Sequence, residues 1–281
     1  MISSRYCLEQ NIMQIPLFEV PSKFHYINNV RQLLKTLVPM IDNRLFTFSS
    51  SEEIRSAIIV LLRLPLDKRL LSLSSEIGQV LNSLLARFQE DQWIEQAKLI
   101  CDDVEFSCGS ITQFKVAIVE NLPISNRGRL LKRFFAFRFL FDSESQQMSI
   151  HDVTEPKILK SLLDHFRDSL TIFKIKDETN YTDLYNYVLL IDYALDDELL
   201  LRKAEDTIEE IIKMLKNLHG KIVDMRAAFM ERTKAKDLIQ RLYMRLYYIS
   251  SHKRGNSQKS IDEFYMPKKD QKIPDTDMEE E

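Results

Sequence analysis

Two-metal hydrolysis of a phosphodiester needs carboxylates that converge on one cavity, and three adjacent acidic pairs could supply them: Asp102-Asp103, Asp196-Asp197 and Glu209-Glu210. All three fall at helix ends or on polar helix faces, where a carboxylate ordinarily serves as a solvated partner of the helix dipole. The five histidines, His25, His151, His165, His219 and His252, are scattered, and none stands in a spacing such as H-E-x-x-H. No glycine lies within five residues of another, so neither a Walker loop nor a dinucleotide fingerprint can form, and no G-x-S-x-G element exists. The residue types therefore point to no catalytic group, no metal and no cofactor.

Two basic stretches have a different chemistry. Arg127, Arg129, Lys132, Arg133 and Arg138 cluster in one helical segment, and Arg232, Lys234, Lys236, Arg241 and Arg245 in another. Interleaved with aromatics, such clusters can hold a phosphate backbone without reading sequence, which would give a weak, non-specific DNA contact. In a chain of net charge −3 the plainer role is a helix face that pairs with Asp and Glu. Cys7, Cys101 and Cys108 are odd in number and lack metal-type spacing, and read as reduced thilols of an intracellular protein.

The elements that must position these groups are helical. Only 5 glycines and 8 prolines occur in 281 residues, too few for an all-β chain, which needs a turn roughly every 8 to 12 residues. Val30, Leu33, Leu34, Leu37 and Val38 mark a first helix from about Tyr26 to Ile41, and Ser50 or Ser51 opens a second whose stripe runs from Ile54 to Leu62 and stops at Pro65. A further helix or pair follows over Asp67 to Phe88, another over Asp91 to Cys101 around Trp93, another over 110–120, and one from Ser125 through Leu140. After a polar loop at 142–150, Thr154-Glu155-Pro156 starts another, Thr182 caps one through Ala194, and one from Asp197 ends at His219-Gly220. The last begins near Thr233. The expected fold is all-α, an irregular armadillo- or HEAT-like scaffold of about ten helices. It occupies residues 25–252, between an extended arm (1–24) and a disordered tail (253–281). The most apolar stretch, Phe134 to Phe141, contains Arg138 and is too short to span a bilayer, so no membrane role is expected.

The tail contains one apolar cluster, in Gln258-Lys259-Ser260-Ile261-Asp262-Glu263-Phe264-Tyr265. One helical turn brings Ile261, Phe264 and Tyr265 to the same side, and a polar tail has no core to receive them. Such a plug either meets a partner or folds back on the body as a latch. Lys253 and Arg254 precede it and Lys268, Lys269 and Lys272 follow. These residues resemble the PCNA-interacting peptide, or PIP box: Gln, any two residues, Ile/Leu/Met, any two residues, two aromatics. All four positions match. The resemblance implies that Ile261, Phe264 and Tyr265 fill a pocket on the PCNA sliding clamp while Gln258 fills a small polar one, and that the protein is nuclear and serves DNA replication or repair.

A second resemblance covers roughly residues 155–250. Asp183, Leu184, Leu190, Ile191, Asp192 and Ala194, then Arg232-Thr233-Lys234-Ala235-Lys236, Leu242 and Arg245-Leu246, are similar to the CANIN-type helical domain of proteins that recruit the repair branch of the structural-maintenance-of-chromosomes complexes. The same residues also read as helix caps and core positions. The expected function is a non-enzymatic adaptor tethered to the clamp by its tail while the body binds another DNA-repair or chromosome-maintenance protein. The alternatives are an accessory subunit or enzyme, nuclease- or polymerase-associated, delivered by the same hook, and a helical scaffold unrelated to the clamp.

Overall fold

The computed structural model describes residues 23–141, 148–168, 175, 179–223 and 230–251, and every regular element among them is helical. The chain opens with α1 (Lys23–Asp42) and α2 (Ser51–Arg63), which Pro65 converts into two short 3-10 turns, Leu64–Leu66 and Lys68–Leu73. Then come α3 (Ser74–Leu85), α4 (Glu90–Cys108), α5 (Thr112–Glu120) and α6 (Asn126–Phe141). A 3-10 turn at Asp152–Thr154 leads into α7 (Lys157–Asp168), followed by α8 (Tyr181–Ala194), α9 (Glu198–Lys203), α10 (Glu205–Lys221) and α11 (Met230–Ser251). The fold is all-α.

Side-chain caps explain the starts of α2, α8 and α9. Ser50 accepts the Glu53 amide at 3.3 Å while the Glu53 carboxylate accepts the Ser49 amide at 2.7 Å, which satisfies donors left open at the start of α2. Asp197 does the same for α9, accepting from the Leu200 amide at 3.0 Å. At α8 the cap is Asn180, not Thr182: its side-chain oxygen takes the Thr182 and Asp183 amides at 3.0 and 3.3 Å. Three further expectations are corrected. The expected helix from Asp197 is two helices, because Ala204 leaves helical backbone at φ −125°, ψ 46°. α10 then runs through Gly220 and stops at Lys221, with Ile222 turned into the core at 1% exposure. Leu33 is 60% exposed, leaving Leu34 as the buried member of that pair.

α6 organises the middle of the molecule. Phe134, Phe135, Phe137, Phe139 and Phe141 surround it, and a helix apolar on every side must be enclosed. Every residue from Arg133 to Phe141 is buried. α3, α4, α5, α8 and the Asp152–Thr154 turn pack around it. Phe134, Phe135 and Phe137 are fully shielded, each contributing about 2 kcal/mol by burial. The entry to α6 demands a glycine: a Cβ on Gly128 would lie 2.1 Å from the Pro123 carbonyl oxygen. On one side α1 packs on α3 and α2 on α4; on the other, α11 closes against α8, α9 and α10, and α10 against α7.

Candidate functional site

Each acidic pair is engaged by arginine from another segment, and the pairs lie far apart in the fold on α4, at the start of α9 and on α10. Asp102 and Glu105 hold Arg138 at 2.7 and 2.9 Å, and Asp103 meets Arg55 at 3.2 Å. Asp197, beyond its capping role, holds Arg133 at 2.7 Å, and Asp196 lies 3.7 Å from Arg245. Glu210 pairs with Arg167. Among the described residues no group of three or more His, Cys, Asp or Glu is placed to hold a metal ion.

The first basic cluster is internal bracing. Arg127 donates to the carbonyls of Leu85 and Phe88 at 2.7 and 2.8 Å, closing the end of α3, and its guanidinium lies 5.2 Å from the Trp93 ring centroid. Arg133 also donates to the Val153 carbonyl. Lys132 sits 4.7 Å over the Tyr193 ring; burial lowers the lysine's pKa and raises the tyrosine's. These groups have work inside the fold and do not form a phosphate-facing surface; only Arg129 of the five is exposed. In the second cluster, Arg245 closes the end of α8 through Asp192 at 2.6 Å and the Leu195 carbonyl at 3.4 Å, and Arg232 stacks over Tyr181 at 4.7 Å. Lys234 and Arg241 are exposed.

Among the described residues the histidine side chains stay apart. His151 is exposed, His165 meets the edge of Phe141 at 5.4 Å, and His219 meets Tyr243 at 5.7 Å. Cys101 and Cys108 are both buried free thiols, and burial pushes both pKa values up, that of Cys101 well up, which keeps them protonated and unreactive.

One concavity gathers chemistry that the sequence reading missed. Side chains from five helices line a cleft of about 630 Å3: Glu105 and Phe106 at the end of α4, Thr112 and Lys115 of α5, Phe139 and Leu140 of α6, His165 of α7, and Tyr187 and Leu190 of α8. Lys115 is 7% exposed, and its ammonium lies 5.3 Å from the centroid of the Phe139 ring. Phe106, at the cleft's edge, is 92% exposed. The signal in the sequence was slight, a lysine among the apolar residues of 110–120 and a phenylalanine on the polar side of α4. The five contributing segments are too far apart in the chain for any spacing to unite them. A smaller groove of about 400 Å3 runs between α10 and α11, where Lys216 lies 5.1 Å over the Tyr247 ring.

Gln258, Ile261, Phe264 and Tyr265, the residues of the motif expected to bind the clamp, lie outside the described residues, as do Met1 to Ser22 of the arm, His252, and the rest of the tail. No helix of the described residues is long and apolar enough to cross a membrane. The class defined so far is an all-α protein whose charged pairs brace its helices. Comparison with known proteins adds no relative: no family model, no curated protein and no solved structure matches the chain.

Proposed function

We propose that this chain is a non-enzymatic adaptor of DNA replication or repair, hooked to the PCNA sliding clamp by Gln258, Ile261, Phe264 and Tyr265 while its helical body binds a second genome-maintenance protein. The observation that carries the reading is the match at all four defining positions of the motif, set in a tail with basic residues on both sides. The body supports it in two ways. Its acidic pairs are already committed to Arg55, Arg138, Arg133, Arg245 and Arg167. Its surface carries large apolar side chains such as Phe106, Ile124, Leu45 and Tyr248, at 92, 83, 73 and 63% exposure. The resemblance of residues 155–250 to the CANIN-type domain points the body toward chromosome maintenance and a nuclear location.

Gel filtration of the full-length chain with purified clamp tests the hook. Co-elution is expected, and its loss in the variant carrying Phe264→Ala and Tyr265→Ala. Incubation with divalent metals and DNA of several shapes should give no turnover above buffer. Metal-dependent cleavage abolished by Asp102→Asn with Asp103→Asn would replace the adaptor with an enzyme delivered by the same hook.

A further inference from the structure

We propose that the groove between α10 and α11 receives the chain's own tail. The run from Ile261 to Tyr265 folds back against Ile212, Lys213 and Tyr247, so that the sliding clamp must displace it in order to bind. The docking stands on the groove and on the course of the chain, whereas the competition with the clamp rests on the function proposed above.

Position, reach and charge lead to that occupant. Ser250 and Ser251, the last residues of α11, line one end of the groove, so the chain that follows them departs from the groove itself. Residues 252 to 260 separate Ser251 from Ile261, enough for about 30 Å of extended chain, and Gly255-Asn256 supplies turn-forming residues for the reversal that a fold-back needs. Tyr247 lies only about 6 Å back along the helix from Ser251. At about 400 Å3 the groove falls within the roughly 300–1,000 Å3 of sites that take small ligands. Its apolar surfaces are Ile212, 6% exposed, and the Tyr247 ring, 54% exposed and able to receive an aromatic side chain. Two lysines against one acid, Glu209, give the lining a positive balance, which suits the Asp262-Glu263 pair set between Ile261 and Phe264. Lys216 is already held over the rings of Tyr243 and Tyr247, at 5.8 and 5.1 Å, which makes the exposed Lys213 the cation that meets the pair. Tethering makes a weak contact sufficient. At an effective concentration of ~1 mM, a groove that holds the run with Kd of ~0.25 mM is closed in about four chains of five.

The test compares amide spectra of the 15N-labelled full-length chain with and without Phe264→Ala and Tyr265→Ala. The substitutions are expected to move the amides of Ile212, Lys213, Lys216, Tyr247 and Ser251, by amounts that a tenfold dilution leaves unchanged. Calorimetry against purified clamp then reads the competition. The full-length chain should bind about 5-fold more weakly than a peptide spanning Ser257 to Lys272, and Tyr247→Ala or Lys213→Gln, both at exposed positions, should bring it back to the affinity of the peptide. Groove amides that stay in place would overturn the docking whatever the clamp does. Differences that fade on dilution would overturn it too, giving the groove to the tail of a second copy. Equal clamp affinity for the peptide and the full-length chain would overturn the competition. Groove amides that move while neither the peptide nor the chain binds the clamp would strike the adaptor reading instead and support the docking.

Discussion

Arg138 is 2% exposed, whereas the carboxylates that hold it, Asp102 and Glu105, are 40% and 25% exposed. That asymmetry decides which side of the interaction is harder to lose. Removing both acids strands a buried guanidinium; removing the arginine leaves two acids that water can reach. Asp102→Asn with Glu105→Gln is expected to cost about 3 kcal/mol, at the low end for a broken buried pair because the acids are partly solvated, and Arg138→Met about half as much. Urea denaturation ranks the two, and the opposite order would show that the arginine's packing outweighs its charge. His219 gives a pH signature. Burial first, and Lys236 second, lower its pKa, so below about 6.5 the unfolded chain binds a proton that the folded chain resists. Its contribution is fully present above that value and is lost as pH falls toward the lowered one. His219→Gln should therefore flatten the decline in stability between pH 7 and 5, read from urea midpoints at each pH.

Helix boundaries were legible where one residue and its near neighbours set them. Ser50 with Glu53, Asp197, and Pro65 each act within a turn, and the stripe from Ile54 to Leu62 sits in the core as its spacing indicated. Boundaries set by packing were not legible. Lys203-Ala204-Glu205 contains no glycine or proline, yet the helix breaks there, and Gly220, which looked like a stop, stays helical while Ile222 reaches the core. The cleft around Lys115 was invisible for the same reason, since only the packing of five helices creates it. Two glycines separate local from tertiary control. Gly128→Ala should destabilise by about 2–3 kcal/mol, because the added Cβ would meet the Pro123 carbonyl at 2.1 Å. Gly78→Ala, inside α3 with nothing within 4 Å, should stabilise by about 1 kcal/mol. Thermal melts of opposite sign bear this out; a harmless Gly128→Ala would mean that the α6 entry can relax.

At the scale of the molecule, arginines tie helices together over varied sequence separations: Arg55 reaches Gln96 across 41 residues and Arg167 reaches Glu210 across 43, but Arg138 reaches Asp102 across 36, Arg245 reaches Asp192 across 53 and Arg133 reaches Asp197 across 64. The all-α class followed from composition and periodicity, because scarce glycine and proline with three- and four-residue apolar spacing leave few other folds. The proposed clamp hook rests on a motif alone, and such a motif needs no fold of its own to be recognised by a partner. Its energetics make the most direct test of the adaptor account. Calorimetry of a peptide spanning Ser257 to Lys272 against purified clamp should give Kd of ~1 µM, equivalent to about 8 kcal/mol, with the aromatic pair supplying most of it. The same peptide carrying Phe264→Ala and Tyr265→Ala should bind at least tenfold more weakly. Equal binding by both peptides, or no heat from either, would contradict the account.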